Sequence, residues 1–388
     1  MRKVRNYITI ILVFAIVFIS GCYENENNSY ESVDSTIESG NSSTSEVDLL
    51  KQDGIIRDAK QVNFPDIRSM WNSFSYDNAI YYVIAKPRDD DPEMSVLSLC
   101  RLSPRDNAHK HLNDANAPRY AAEGSFVMGS YYFDVSSVSN EENVVYRINL
   151  ITGEKNDLIM LSPNEVVSFY PLTESNLAIR LSSRIINYDV NEGAYKEIYN
   201  TAESDMVIYS ASENDGLLYV YTVDSKDFTK QNIDIINDGG EVIGSLDVPD
   251  EVITAFEGKK LRWFKVFEDY VYFNFFQSSS FLYKLENSSL EEIPLEHDYF
   301  LLSNIEKLHD LNKFEYVYFM DQNFYYAFNI ATAEFHKLSF DLDASYTMYD
   351  YFSPDSSGNV LMSLINKTTD EKRYFYISAE TIVDSIID

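Results

Sequence analysis

From Ile55 onward the chain consists of short aromatic and β-branched runs broken by Asn, Asp, Gly and Ser. That texture predicts strands. No long amphipathic helical pattern interrupts it. The runs recur as a series: Ala79-Ile80-Tyr81-Tyr82-Val83, Ser130-Tyr131-Tyr132-Phe133, Asn176-Leu177-Ala178-Ile179, Leu217-Leu218-Tyr219-Val220, Tyr270-Val271-Tyr272-Phe273, Tyr316-Val317-Tyr318-Phe319 and Asn359-Val360-Leu361-Met362. Each is read as the second strand of a unit about 40 to 53 residues long. A third strand follows, clearest at Val145–Leu150, Leu282–Leu285 and Tyr325–Ile330. A turn and a weaker fourth strand come next, as at Thr152-Gly153 before Asn156-Asp157-Leu158. Four strands per unit at this period is the pattern of a β-propeller.

Short turns precede the second strands: Tyr76-Asp77-Asn78, Glu174-Ser175-Asn176, Asn214-Asp215-Gly216, Glu268-Asp269 and Asp355-Ser356-Ser357-Gly358-Asn359. Asn, Asp and Gly tolerate the positive φ of tight hairpins. A β-helix would show a shorter, stricter repeat, and a pair of β-sandwiches would not repeat strand by strand. The expectation is therefore an all-β, seven-bladed propeller over residues 55–388, with six or eight blades as neighbouring solutions. A ring must close, because open strand edges recruit other chains. Ile55–Val62 is placed to complete the last blade beside Arg373–Ile377; Thr381–Ile387 is the alternative closing segment.

The first 54 residues have another texture. Arg2, Lys3 and Arg5 precede an uncharged run from Ile8 to Ile19, then Ser20-Gly21-Cys22. The run is shorter than the roughly 20 residues a spanning helix needs, and the order is that of an export signal. It resembles a bacterial lipoprotein signal peptide, whose lipobox reads aliphatic, small, small, Cys. The resemblance implies cleavage after residue 21 and lipidation of Cys22, anchoring the chain outside the cytoplasm. Residues 22–54 then read as a tether, with seven acidic and no basic residues in 23–50. Such a segment cannot bury enough apolar surface to fold, and it spans roughly 30 Å on average.

Charge narrows the partners. The chain has 31 basic and 62 acidic residues, a net charge of −31, and loses three positive charges with residues 1–21. That balance argues against nucleic acid and against anionic surfaces in general. Cys100 is the only cysteine besides Cys22. In Leu97-Ser98-Leu99-Cys100-Arg101-Leu102 it reads as a small packed side chain.

Two motifs carry a family resemblance. Tyr146-Arg147-Ile148-Asn149-Leu150-Ile151-Thr152-Gly153-Glu154 resembles the third-strand segment of TolB-like and quinoprotein-like bacterial propellers, which ends in a Thr-Gly turn. Phe352-Ser353-Pro354-Asp355 resembles the Ser-Pro-Asp-Gly turn of TolB-like repeats, with the glycine displaced to Gly358. The resemblance implies a fold and no catalytic residue, since such propellers host binders, hydrolases and cofactor enzymes.

The chain has no Gly-rich phosphate loop, nucleophile elbow or His-Glu-x-x-His motif. Of the five histidines only His109 and His111 are close together, and they read as solvated. Asp89, Asp90, Asp91 and Glu93 form the densest acidic loop. Ca²⁺ is a candidate ligand there, but the spacing of a calcium loop is missing, and a solvated loop is the simpler reading. Asp189-x-Asn191-x-Gly193 reads as a turn.

Loops between second and third strands share one rim of a propeller with the connections between blades, and rims carry ligands. The longest are Lys86–Met94, Ser136–Asn143, Asp224–Lys230 and Asn366–Lys372. Three of them belong to neighbouring blades and bring Asp89, Asp90, Asp91, Glu93, Glu141, Glu142, Asp370 and Glu371 to one sector. The linker Asn113–Gly124 adds Arg119 and Tyr120. Trp71 and Trp263, the latter beside Arg262, fall on inner strands, where an aromatic stacks on a sugar or peptide or simply packs between blades. The function expected is a lipid-anchored scaffold binding a protein, peptide or glycan. The alternative is a propeller hydrolase or lyase with paired carboxylates at the channel mouth.

Overall fold

The computed structural model describes residues 59–387, apart from 65–69, 78, 89–93, 119–125, 140–141, 163–167, 174, 277–278, 303–314, 322–323, 341–344 and 355–358. Seven antiparallel sheets follow one another along the chain, so the body is a seven-bladed β-propeller. Blade one comprises Met70–Tyr76, Ala79–Pro87, Met94–Leu102 and His109–Pro118, each strand paired with the next. Blades two to five start at Phe126, Ser168, Met206 and Leu261. All seven second strands lie where the sequence repeat places them.

The burial gradient explains the pattern. A second strand is covered on both faces by neighbouring blades, so it is apolar throughout: every residue of Tyr270–Phe275 is buried. Outer strands pack on one side only, and Ala194–Glu197 is exposed residue by residue. A core cluster lies in each gap between blades. Phe264, Val271, Phe273 and Tyr221 join blades four and five, while Tyr272, Tyr299, Phe319 and Phe328 join five and six.

The ring closes through the first strand. Ala59–Val62 pairs antiparallel with Lys372–Ile377, Ala59 opposite Ile377 and Val62 opposite Tyr374. It supplies the outer strand of blade seven, whose other strands are Tyr346–Pro354, Val360–Asn366 and Lys372–Ile377. Val62 and Phe64 then pack with Tyr82, Cys100, Leu361 and Tyr374 between blades seven and one. The alternative closing segment, Thr381–Ile387, goes elsewhere. Ala379–Asp384 is a helix capped by Ser378, and Ile386–Ile387 adds a fifth strand to blade six. Ile382 of that helix is fully buried in the core shared by blades six and seven.

Three local expectations change. The loop expected at Ser136–Asn143 is mostly strand, because Tyr131–Ser139 and Glu142–Asn149 leave only residues 140 and 141 between them. The linker expected from Asn113 is strand as far as Pro118, where the outer strand of blade one remains paired with Met94–Leu102. Asp250–Gly258 is an unforeseen helix between blades four and five. Asp250 and Glu251 favour its first turn, and its own Val252 is buried in the core between blades four and five.

Candidate functional site

Inner strands carry the same irregularity in three blades. In blade one Met70 faces Ile84 and Asn72 faces Val83, leaving Trp71 as an extra residue. In blade four Tyr209 is extra between Ile208 and Ser210, and in blade five Arg262 is extra between Leu261 and Trp263. Each bulge lies opposite the fifth and sixth residues of its second strand. A bulge re-aims the side chains that follow it. Leu261 and Phe264 thus both face blade four, while Trp263 turns toward blade six. Strict alternation would have put Leu261 and Trp263 on one side.

In blade five the bulge builds a surface cluster. The exposed Arg262 guanidinium carbon lies 4.4 Å from the Trp263 ring centre, 5.8 Å from Phe276 and 5.7 Å from Phe300. Lys260 Nζ lies 5.8 Å from the Phe276 ring, and Lys259 donates to Ser279 Oγ. Phe276 follows the second strand of blade five and Phe300 starts the inner strand of blade six. Antiparallel topology puts these positions on the rim that also bears the 225–230 and 367–371 loops. No carboxylate pairs with Arg262 among the described residues.

A buried polar network supports the cluster from within. Asn274 faces Trp263 on one side and Ser280 on the other. Its Nδ2 donates to Ser280 Oγ at 3.0 Å, and Ser280 Oγ donates to the Tyr299 carbonyl at 2.6 Å. Tyr272 OH donates to the same carbonyl at 2.6 Å, and accepts from Leu301 N. Burial pushes the Tyr272 phenol far above its ordinary pKa, so it stays a donor. Asn274 is fully buried, and its Oδ1 has no hydrogen-bond partner among the described residues.

Of the residues singled out from sequence, Trp263 falls in this cluster. Trp71 lies on the inner strand of blade one and Glu142 starts a third strand in blade two. Asp370 and Glu371 are exposed and occupied by a turn. Asp370 has φ +55° and donates its N–H to Asn366 O, and Glu371 pairs with Arg373 at 3.1 Å. Cys22, Asp89, Asp90, Asp91, Glu93, Arg119, Tyr120 and Glu141 lie outside the described residues, and with them the calcium candidate. Among the described residues no group of three or more His, Cys, Asp or Glu is arranged to hold a metal ion. His109 Nδ1 is hydrogen-bonded to Tyr82 OH at 2.8 Å, and His111 Nε2 to Asp114 Oδ1 at 2.9 Å. Burial alone would raise Asp114, but hydrogen bonds from Ser98 and His111 hold its carboxyl below the usual range. Burial pushes the Cys100 thiol up, which keeps it protonated and a poor nucleophile.

Sequence reading missed Lys260, Phe276 and Phe300. One signal was present: Lys259-Lys260-Leu261-Arg262-Trp263-Phe264-Lys265 holds four basic residues and no acid, in a chain of net charge −31.

No protein-family model matches the chain, and no curated protein matches it. Solved structures of similar fold include a putative 6-phosphogluconolactonase from Bacteroides uniformis, at 11% identity over 78% of this chain and 98% of that one, with a TM-score of 0.48. An oligogalacturonate lyase from Vibrio parahaemolyticus aligns at 12% identity, over 80% and 97% of the two chains, with a TM-score of 0.46. TolB from Acinetobacter baumannii aligns at 9% identity, over 77% and 80%, with a TM-score of 0.38. These likenesses concern the propeller fold alone.

Proposed function

We propose that the chain is a membrane-anchored extracytoplasmic binding scaffold, held by lipid on Cys22 and engaging its partner through the Arg262–Trp263 rim of blade five. The observation that carries the reading is the exposed Arg262 stacked on Trp263 beside Phe276 and Phe300, with no carboxylate paired to it among the described residues. Strand-borne side chains hold such a cluster more firmly than loop residues do. Arginine and aromatic side chains are also what binding hot spots favour. The lipobox-like Ile19-Ser20-Gly21-Cys22 supports the anchor. The anchor and the rim call for separate tests. Cys22→Ala should move the chain from the membrane fraction to the soluble fraction; a variant that stays with the membrane contradicts lipid anchoring there. For the rim, the immobilised full-length chain is exposed to extract of the cell surface. Arg262→Gln with Phe276→Ala should cut specific retention at least fivefold, and unchanged retention contradicts the assignment.

A further inference from the structure

The cluster's chemistry says what class of partner it suits. A guanidinium lying on an indole face uses its flat side for the stack and keeps its edge N–H donors available. That edge matches a carboxylate in two parallel hydrogen bonds. The Arg262 guanidinium carbon lies over the Trp263 ring at 4.4 Å, with Phe276 and Phe300 at 5.8 and 5.7 Å. Lys259 and Lys260 precede it on the same strand entry, so positive charge is concentrated on a molecule that elsewhere repels anions. Phe276, 36% exposed, offers an apolar ring at the edge of the charge. A sugar ring has C–H faces that pack on aromatics. Asn274, in register with Trp263, is fully buried, and its Oδ1 has no hydrogen-bond partner among the described residues.

Resting on the scaffold reading above, we propose that the Arg262–Trp263 rim binds an acidic glycan, with Arg262 receiving a sugar carboxylate and Phe276 packing on the ring that bears it. The rest of the surface then acts as a selectivity filter. Its net negative charge disfavours polyanions elsewhere and so favours binding at this strand entry. An acidic peptide offers the same carboxylates without the sugar's C–H face. It is the competing outcome.

The test is equilibrium binding of three probes to the full-length chain at fixed salt: a glucuronate hexasaccharide, a glucose hexasaccharide of matched length and a hexaglutamate peptide. The glucuronate probe should bind at least tenfold tighter than either other probe. Arg262→Gln should weaken it at least tenfold. Arg262→Lys, which keeps charge and loses the fork, should recover only part of the loss, and Phe276→Ala should weaken it three- to tenfold. Arg262 and Phe276 are exposed, so these variants should keep the β-type circular dichroism spectrum. Equal binding of glucuronate and glucose probes overturns the proposal, as does equal or tighter binding of hexaglutamate, or no binding of any probe. If retention of surface extract still depends on Arg262 while the glucuronate probe fails, the scaffold reading stands and the glycan assignment falls.

Discussion

At the scale of single residues, the contacts that decide the ring are those that join one blade to the next. Gly153, in the Thr-Gly turn read from the sequence, has φ +81°, and an added Cβ would lie 2.9 Å from the Leu112 carbonyl oxygen in blade one. Asn113 Nδ2 also donates to Gly153 O at 2.8 Å. Gly153→Ala should therefore cost about 1–3 kcal/mol through strain and displacement, read as a lower midpoint in urea. A loss under about 0.5 kcal/mol, the range of unconstrained surface changes, would contradict the close approach. Asn214 does similar work in blade four. Its side chain accepts from Glu268 N at 3.0 Å and donates to Glu268 O at 2.9 Å, tying one inner strand to the next hairpin. Asn214→Ala strands two backbone groups, for an expected loss of about 1–3 kcal/mol; replacement with no change in unfolding midpoint would show that solvent satisfies them. The motif signalled Gly153, while the partner at Leu112 is forty-one residues away and has no sequence signature.

Among elements, the second strands were readable because burial on both faces leaves an uninterrupted apolar run. The bulges were not, since a bulge exists only relative to a partner strand. Neither was the rim cluster in full: Arg262 and Trp263 are adjacent, but Phe276 and Phe300 arrive by ladder pairing and by blade packing. Likewise the polar Ser136–Asn143 stretch reads as a loop, yet Ser136, Ser137 and Ser139 are paired with Val144, Asn143 and Glu142. The closing strand makes the clearest element-scale prediction. Removing residues 59–62 strips the outer strand from blade seven and takes away Val62, a core side chain only 2% exposed that packs on Tyr82, Leu361 and Tyr374. The side chain contributes about 1.5–3 kcal/mol and each lost ladder hydrogen bond about 1 kcal/mol. The loss should total about 3 kcal/mol or more. Removing residues 386–388 takes only a two-residue strand from an outer edge and should cost less. Thermal melts of the two truncations decide the order, and the reverse order would contradict closure by the first strand.

Over the whole molecule, the cores between blades are rich in buried tyrosines, and these make stability depend on alkali. Burial raises the phenols of Tyr82, Tyr199, Tyr221, Tyr272 and Tyr283 well above the ordinary value, and Tyr299 to about 12. A raised folded-state pKa means that the ionised form is disfavoured in the fold. The stability is whole below the unfolded value near 10 and falls as pH rises toward 12 and beyond. An ultraviolet titration should show a class of tyrosines that ionise only as the β spectrum collapses. Smooth titration of every tyrosine near pH 10 with the spectrum intact would contradict a buried aromatic ring. On that rigid frame the function proposed depends on one exposed arginine, and this separates it from stability. The decisive measurement is therefore paired: glucuronate-hexamer affinity and thermal midpoint of the full-length chain, with and without Arg262→Gln. The account predicts at least a tenfold loss of affinity at an unchanged midpoint. Unchanged affinity, or a loss that only follows a fall in midpoint, would contradict it.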